Sequence, residues 1–180
     1  LTERSVKSYF PVMPILVNPT RIRETLLLSG ESGPPLFCPN AETPGEIEGI
    51  LEGAARHVDC AGLSGISIGI GITGGYPDHP QLKHLAVSTG PGSREETARK
   101  WFGWLEAAAS AKRYEQVSVI PFFDHGWVPD PEDLALMRTK WFQRAMGIIL
   151  FDASKFSFEE NLRFTAEFVQ EAGGEVVVEG

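Results

Sequence analysis

The sequence predicts an α/β fold built on a largely parallel sheet. Three observations carry that expectation. Short apolar runs alternate with segments of helical periodicity, in the order strand, helix, strand. Residues 117–123 and 147–151 are apolar at nearly every position, as strands buried on both faces are, and 63–70 reads the same way despite its glycines. The chain has 180 residues, room for one domain with a sizeable core. About four strand–helix units are visible. A closed eight-unit barrel takes roughly 250 residues. Either an open doubly wound sheet or part of a barrel is expected, and the barrel requires further polypeptide after residue 180.

Each element has its own local reason. Residues 12–17 contain Pro14 and lie between Pro11 and Pro19, which argues against a central strand there. Residues 20–28 fit a short helix with Ile22 and Leu26 on one face, and 29–35 read as a turn-rich connector. Residues 1–34 are therefore an N-terminal extension or the first barrel elements, and 35–180 form the main unit. Leu36, Phe37 and Cys38 fit a short buried strand. Thr43, Pro44 and Glu46 then make a capping-box start, and Ile47, Ile50, Leu51 and Val58 form the helical stripe behind it. After the strand at 63–70, residues 71–80 form a loop with paired glycines.

Ser93 and Glu96 repeat the capping-box spacing, and the helix behind them runs to Ala111 through Ala98, Trp101, Phe102 and Leu105. Gly90, Pro91 and Gly92 make a turn before it. Residues 117–123 are a strand, with Pro121 counting against a central position. Pro129, Asp130 and Pro131 open a helix through Lys140. The strand at 147–151 follows, then a helix capped by Ser157 or Ser154. Phe158, Leu162, Thr165, Ala166 and Val169 are expected to face the core. Gly173 and Gly174 stop that helix, and 175–179 are the last strand.

Composition removes several function classes. With 42% hydrophobic and 22% charged residues the chain is neither disordered nor collagen-like. Its formal charge of −8 disfavours a nonspecific nucleic-acid binder. No stretch approaches about 18 uninterrupted apolar residues, so no membrane span is expected. Cys38 and Cys60 are the only cysteines; they exclude a four-cysteine zinc site within one chain and make a disulfide scaffold unexpected. No signal-peptide core follows Leu1, and a cytoplasmic setting is expected.

The chemistry concentrates where a strand delivers Asp124, His125 and Gly126. In parallel α/β folds, ligands bind at the C-terminal edge of the sheet. Asp124 and His125 are adjacent, so in an extended segment their side chains diverge: one faces substrate and the other reaches a metal. An imidazole suits zinc, and a carboxylate suits proton transfer. Asp152 ends the next strand and Glu179 the one after. Strand ends lie about 4.8 Å apart, so such groups converge despite long sequence separations. Trp127 is placed to cover the pocket mouth. Residues 71–77 lack a Walker lysine and a full dinucleotide fingerprint and read as a flexible loop. His57 is read as a helix C-terminal charge, whereas His79 and His84 lie in or beside a loop within reach of a site.

Three ordered segments resemble the class II fructose-bisphosphate and tagatose-bisphosphate aldolases. Residues 121–126 (Pro-Phe-Phe-Asp-His-Gly) are similar to that family's strand-end Asp-His motif. Residues 147–154, followed by Phe158, Glu159, Glu160, Asn161, Leu162 and Thr165, resemble its buried strand, Asp-x-Ser turn and helix start. Residues 174–179 resemble the next strand with its acidic end. The resemblance is good over 117–180 and looser over 35–75. It implies the N-terminal half of a TIM (β/α)8 barrel and a zinc-dependent lyase that cleaves a phosphorylated ketose to dihydroxyacetone phosphate and an aldehyde. Asp124 would move the proton at the aldehyde-side hydroxyl, and His125 and Glu179 would be metal ligands. Asp152 would be a second-site or supporting acid, and Asn40, Thr73 and Ser154 would lie on the substrate side. The family's other two zinc-binding histidines come from later strands, outside these residues. Lys155 stands where a His is common in the family.

The resemblance thus implies completion by a C-terminal half or a partner chain, and a homo-oligomer. A strand edge at 176–179 left open would pair or aggregate. Two other readings stand beside the lyase: a non-catalytic aldolase-like binding or regulatory subunit, and a metal-dependent hydrolase.

Overall fold

The computed structural model describes residues 14–32, 35–90 and 92–180. The readings made for residues 1–13, Gly33, Pro34 and Pro91 lie outside these. The described elements are, in order, α1 (Pro19–Ser32), α2 (Pro44–Ala61), β1 (Ile66–Thr73), α3 (Gln81–Thr89), α4 (Arg94–Ala109), β2 (Val117–Trp127), α5 (Pro131–Met137), α6 (Lys140–Ala145), β3 (Ile148–Asp152), α7 (Phe158–Ala172) and β4 (Val177–Glu179). A single 3-10 turn, Lys112–Tyr114, precedes β2. No helix among the described residues is long and apolar enough to cross a membrane.

The strands form an open parallel sheet in which spatial order equals chain order, β1-β2-β3-β4. No reversal of order, the mark of a doubly wound sheet, occurs among the described strands. Every crossover therefore steps the same way, and the connecting helices share one face of the sheet. Ile68, Ile70, Ile72, Val119, Phe123 and Ile149 bury that face against α2, α4, α6 and α7. The opposite face is covered differently. Ile120 and Ile148 meet Leu16 and Ile22, so α1 and the segment before it close the N-terminal half of that face. Its C-terminal half is left to polar side chains.

Local chemistry fixes most helix starts. Thr43, Ser93 and Ser157 each make the full capping box with Glu46, Glu96 and Glu160, satisfying N–H groups that the first turn leaves unpaired. Gly62 and Gly173 end α2 and α7 in the left-handed region.

Several expectations are corrected. The residue 129–140 helix is two helices, because Thr139 accepts the Phe142 N–H and starts α6 anew. Residues 29–32 continue α1 rather than forming a connector. Residues 81–89, which had no assigned element, are helical and bury Leu82 and Leu85. Residues 37–41 do run parallel to β1: Gly69 N–H donates to Phe37 O at 2.8 Å and Gly71 N–H to Pro39 O at 2.8 Å. Yet Phe37 and Cys38 are exposed, since no described element covers their side. Helix α7 buries Phe168 and Ala172, whereas Phe158, Leu162 and Val169 are 73%, 56% and 47% exposed.

Pro121 occupies a central strand after all. On its β3 side the partner of β2 changes from the segment Pro14–Leu16, where Val119 N–H donates to Pro14 O, to β3, where Gly147 N–H donates to Pro121 O. The missing proline N–H falls at that seam, where it forfeits no ladder bond.

Candidate functional site

The site is built by an irregularity in β2. Phe123 pairs with Ile149 and Gly126 with Phe151, so β2 spends three steps where β3 spends two. One extra residue is accommodated at Asp124–His125, and His125 takes φ 48°. A non-glycine residue in the left-handed region is uncommon and marks a constrained position. The bulge also alters the expected geometry. Adjacent residues of a regular strand would point to opposite faces; here Asp124 Oδ1 lies 4.0 Å from His125 Nε2.

Both side chains are held by neighbours. Asn40 Nδ2 donates to Asp124 Oδ2 at 2.7 Å. Glycine at 71 makes that reach possible, because a Cβ there would overlap Asn40 Oδ1. Trp101 donates its indole N–H to Ala41 O at 2.8 Å and anchors the same segment from the core. Asn40 of the 37–41 segment, Asp124 of β2 and Asp152 of β3 therefore gather at the C-terminal ends of their strands.

His125 Nδ1 lies 2.7 Å from Asp152 Oδ2. Burial raises the Asp152 carboxyl, but hydrogen bonds from Ser154 and His125 outweigh it and hold the group below its ordinary range. Asp152 is thus an anionic acceptor, and Nδ1 carries the proton. With Nδ1 donating to Asp152, Nε2 is the nitrogen left to face a ligand, the usual carboxylate–histidine arrangement at metal sites. Ser154 contributes its N–H to Asp152 Oδ1 at 3.0 Å.

The remaining candidates are placed as follows. Thr73 pairs in register with Asp124. Its hydroxyl donates to His79 O and accepts the Gln81 N–H at 3.1 Å, so it ties the β1 loop to α3. Glu179 pairs in register with Leu150 near the end of β4 and is exposed. Cys38 lies on the same face: though exposed on one side, its thiol is raised by desolvation from the surrounding chain, lowered by the Gly69 N–H, and raised further by the charges of Glu179 and Asp124. That combination disfavours a thiolate nucleophile. His57, His79 and His84 are exposed. Among the described residues no group of three or more His, Cys, Asp or Glu side chains is arranged to hold a metal ion.

Sequence reasoning missed Tyr76. Its ring stacks on His125 at 4.3 Å and 21°, and meets Trp127 edge-on at 5.4 Å. It also missed the buried charges beside the site, Arg94 and Asp133. The only available signal was the pair of glycines before Tyr76, which permits close approach of other side chains. A groove of about 610 Å³ between α4 and α6, lined by Ile15, Phe102, Trp141 and Arg144 among others, lies toward the opposite, N-terminal end of the strands. No family model matches the chain, and no curated protein matches it.

Proposed function

We propose that this chain is the N-terminal half of a class II aldolase-like lyase, a zinc-dependent (β/α)8 barrel that cleaves a phosphorylated ketose to dihydroxyacetone phosphate and an aldehyde. The observation that carries the reading is the bulged Asp124–His125 pair, backed by Asn40 and Asp152, at the C-terminal end of a sheet that winds in one direction. The sequence resemblance of residues 117–180 supplies the reaction class.

Asn40 occupies Asp124 Oδ2, which leaves Oδ1 to take a proton from the hydroxyl on the aldehyde-side carbon. As that O–H proton leaves, its electron pair forms the aldehyde carbonyl and the carbon–carbon bond breaks. The bonding pair passes into the ketone fragment as an enediolate, which a proton converts to dihydroxyacetone phosphate. Zinc, when bound, would polarise the ketone and stabilise the negative charge. His125 would hold it through Nε2, with Glu179 on the same face and the remaining donors from polypeptide that completes the sheet. Asp152 keeps the His125 proton on Nδ1 throughout.

The absence of a three-donor cluster among the described residues favours one second reading, a non-catalytic aldolase-like binding subunit. The test is cleavage of a panel of ketose bisphosphates by the native protein with zinc, read as dihydroxyacetone phosphate release. Release that is lost in Asp124→Asn and His125→Asn supports the lyase. No release from zinc-loaded native protein refutes it and favours the binding subunit.

A further inference from the structure

Asp133 is fully buried at the start of α5. Burying a carboxylate is costly unless it is paired and hydrogen-bonded, so its partners explain its place. One oxygen, Oδ2, accepts the Gly75 N–H at 2.7 Å and the Trp127 N–H at 3.2 Å. Gly75 belongs to the loop after β1, and Trp127 ends β2 two residues beyond His125. A single oxygen thus joins two elements that are far apart in sequence.

Asp133 is itself held. Arg94 Nη1 sits 2.9 Å from Asp133 Oδ1, an ion-pair contact without a well-directed hydrogen bond. Arg94 Nη2 is fixed in turn by Asp130 at 3.3 Å and Glu132 at 3.1 Å. Glycines at 74 and 75 are required for this closeness, because a Cβ at the first would overlap the Asp133 carboxylate and at the second Asp130 Oδ2. Burial pushes the Asp133 carboxyl up to about 6, against the lowering effects of the Gly75 N–H, Arg94 and the Trp127 N–H, so it is an anion at neutral pH. The residues beside the two tethered amides meet in space: Tyr76, next to Gly75, stacks on His125 and touches Trp127.

We propose that Asp133 is a positioning residue that clamps the β1 loop to the end of β2, so that Tyr76 covers one face of the His125 imidazole. The Nε2 lone pair lies in the ring plane, so holding Tyr76 against one face holds the direction in which Nε2 meets a ligand. This inference does not depend on the aldol reading, since it concerns His125 whatever that residue binds.

The test is NMR on the native protein, following the His125 ring Hε1 resonance, which the Tyr76 ring current displaces upfield. Asp133→Leu removes the one oxygen that the Gly75 and Trp127 N–H groups share, which asparagine would keep. It should move the resonance downfield to the position found in Tyr76→Leu, and the double variant should move it no further. Glu52→Gln, whose partner is Arg56 on the exposed face of α2, should leave it unchanged. A merely structural role would lower the melting temperature and leave the resonance in place. An Asp133→Leu resonance at the native position, or shifts that add in the double variant, overturns the proposal. If Asp133→Leu does not fold, amide exchange of the unsubstituted protein decides. Gly75 and Trp127 should exchange together and on the order of 100-fold slower than exposed loop amides; fast or independent exchange overturns the clamp.

Discussion

Replacing Trp101 by Phe separates the fold's support of the site from the site's own chemistry. Trp101 is fully buried, and its indole N–H reaches Ala41 O at 2.8 Å, across 60 residues of sequence. Ala41 is also fully buried, so no water replaces the lost donor. An unpaired buried carbonyl costs about 1–3 kcal/mol. The smaller ring leaves a void worth roughly another 1–2 kcal/mol. The sum is about 3 kcal/mol, which at a urea slope near 2 kcal/mol/M lowers the midpoint by about 1.5 M. Urea denaturation followed by far-UV circular dichroism reads that shift directly. Ala41 N–H also bonds Gly71 O at 2.9 Å, so a loosened Ala41 loosens Asn40 beside Asp124. A midpoint shift under about 0.3 M would show that the indole bond does not hold this segment, and the reasoning would fail.

Three further predictions concern the site and its surroundings. Gly71→Ala places a methyl group on Asn40 Oδ1; the variant should fold, lose the Asn40–Asp124 bond and slow cleavage about tenfold, and an unchanged rate in a cleavage assay would contradict the role of Asn40. Asp152 is held below its ordinary range, so its stabilisation is present above the unfolded value near 3.9 and is lost as pH falls through the folded value. Asp152→Asn should flatten the acid limb of the stability–pH profile, and an unaltered limb in denaturation from pH 2 to 6 would contradict the assignment. Leu162 is 56% exposed on α7. If completing polypeptide covers it in the native protein, Leu162→Gln should cost about 2 kcal/mol in thermal unfolding, whereas a change within about 0.5 kcal/mol would contradict that cover.

What the sequence disclosed was what short spacing controls. The Thr43–Glu46 and Ser93–Glu96 pairs act over three residues, and both capping boxes form; of the two caps left open for α7, Ser157 is the one used, and it completes a third box with Glu160. The apolar runs at 63–70, 117–123 and 147–151 each contain a strand, and the three pair in parallel, although β1 begins at Ile66 and extends to Thr73, into residues read as a loop, and β2 extends to Trp127. What stayed hidden depends on partners distant in sequence. The bulge at Asp124–His125 exists only relative to the register of β3. The tolerance of Pro121 depends on the Pro14–Leu16 segment lying beside it. Helix α7 carries two apolar stripes, one through Phe158, Leu162 and Val169 and one through Phe164, Phe168 and Ala172. Periodicity alone does not say which packs inward, and the second one does. Tyr76 sits in a loop with no periodic signal, and only Asp133 and the paired glycines bring its ring to His125.

The central claim is that Asp124 moves the proton on the aldehyde side of a carbon–carbon cleavage, and one comparison tests it most directly. The zinc-loaded native protein and its Asp124→Asn variant are each assayed for ketose bisphosphate cleavage and for exchange of solvent deuterium into dihydroxyacetone phosphate. The account predicts that the variant loses cleavage and keeps exchange, because Asp124 serves the aldehyde hydroxyl alone. Cleavage that survives in Asp124→Asn, or cleavage and exchange both absent from the zinc-loaded native protein, would contradict it.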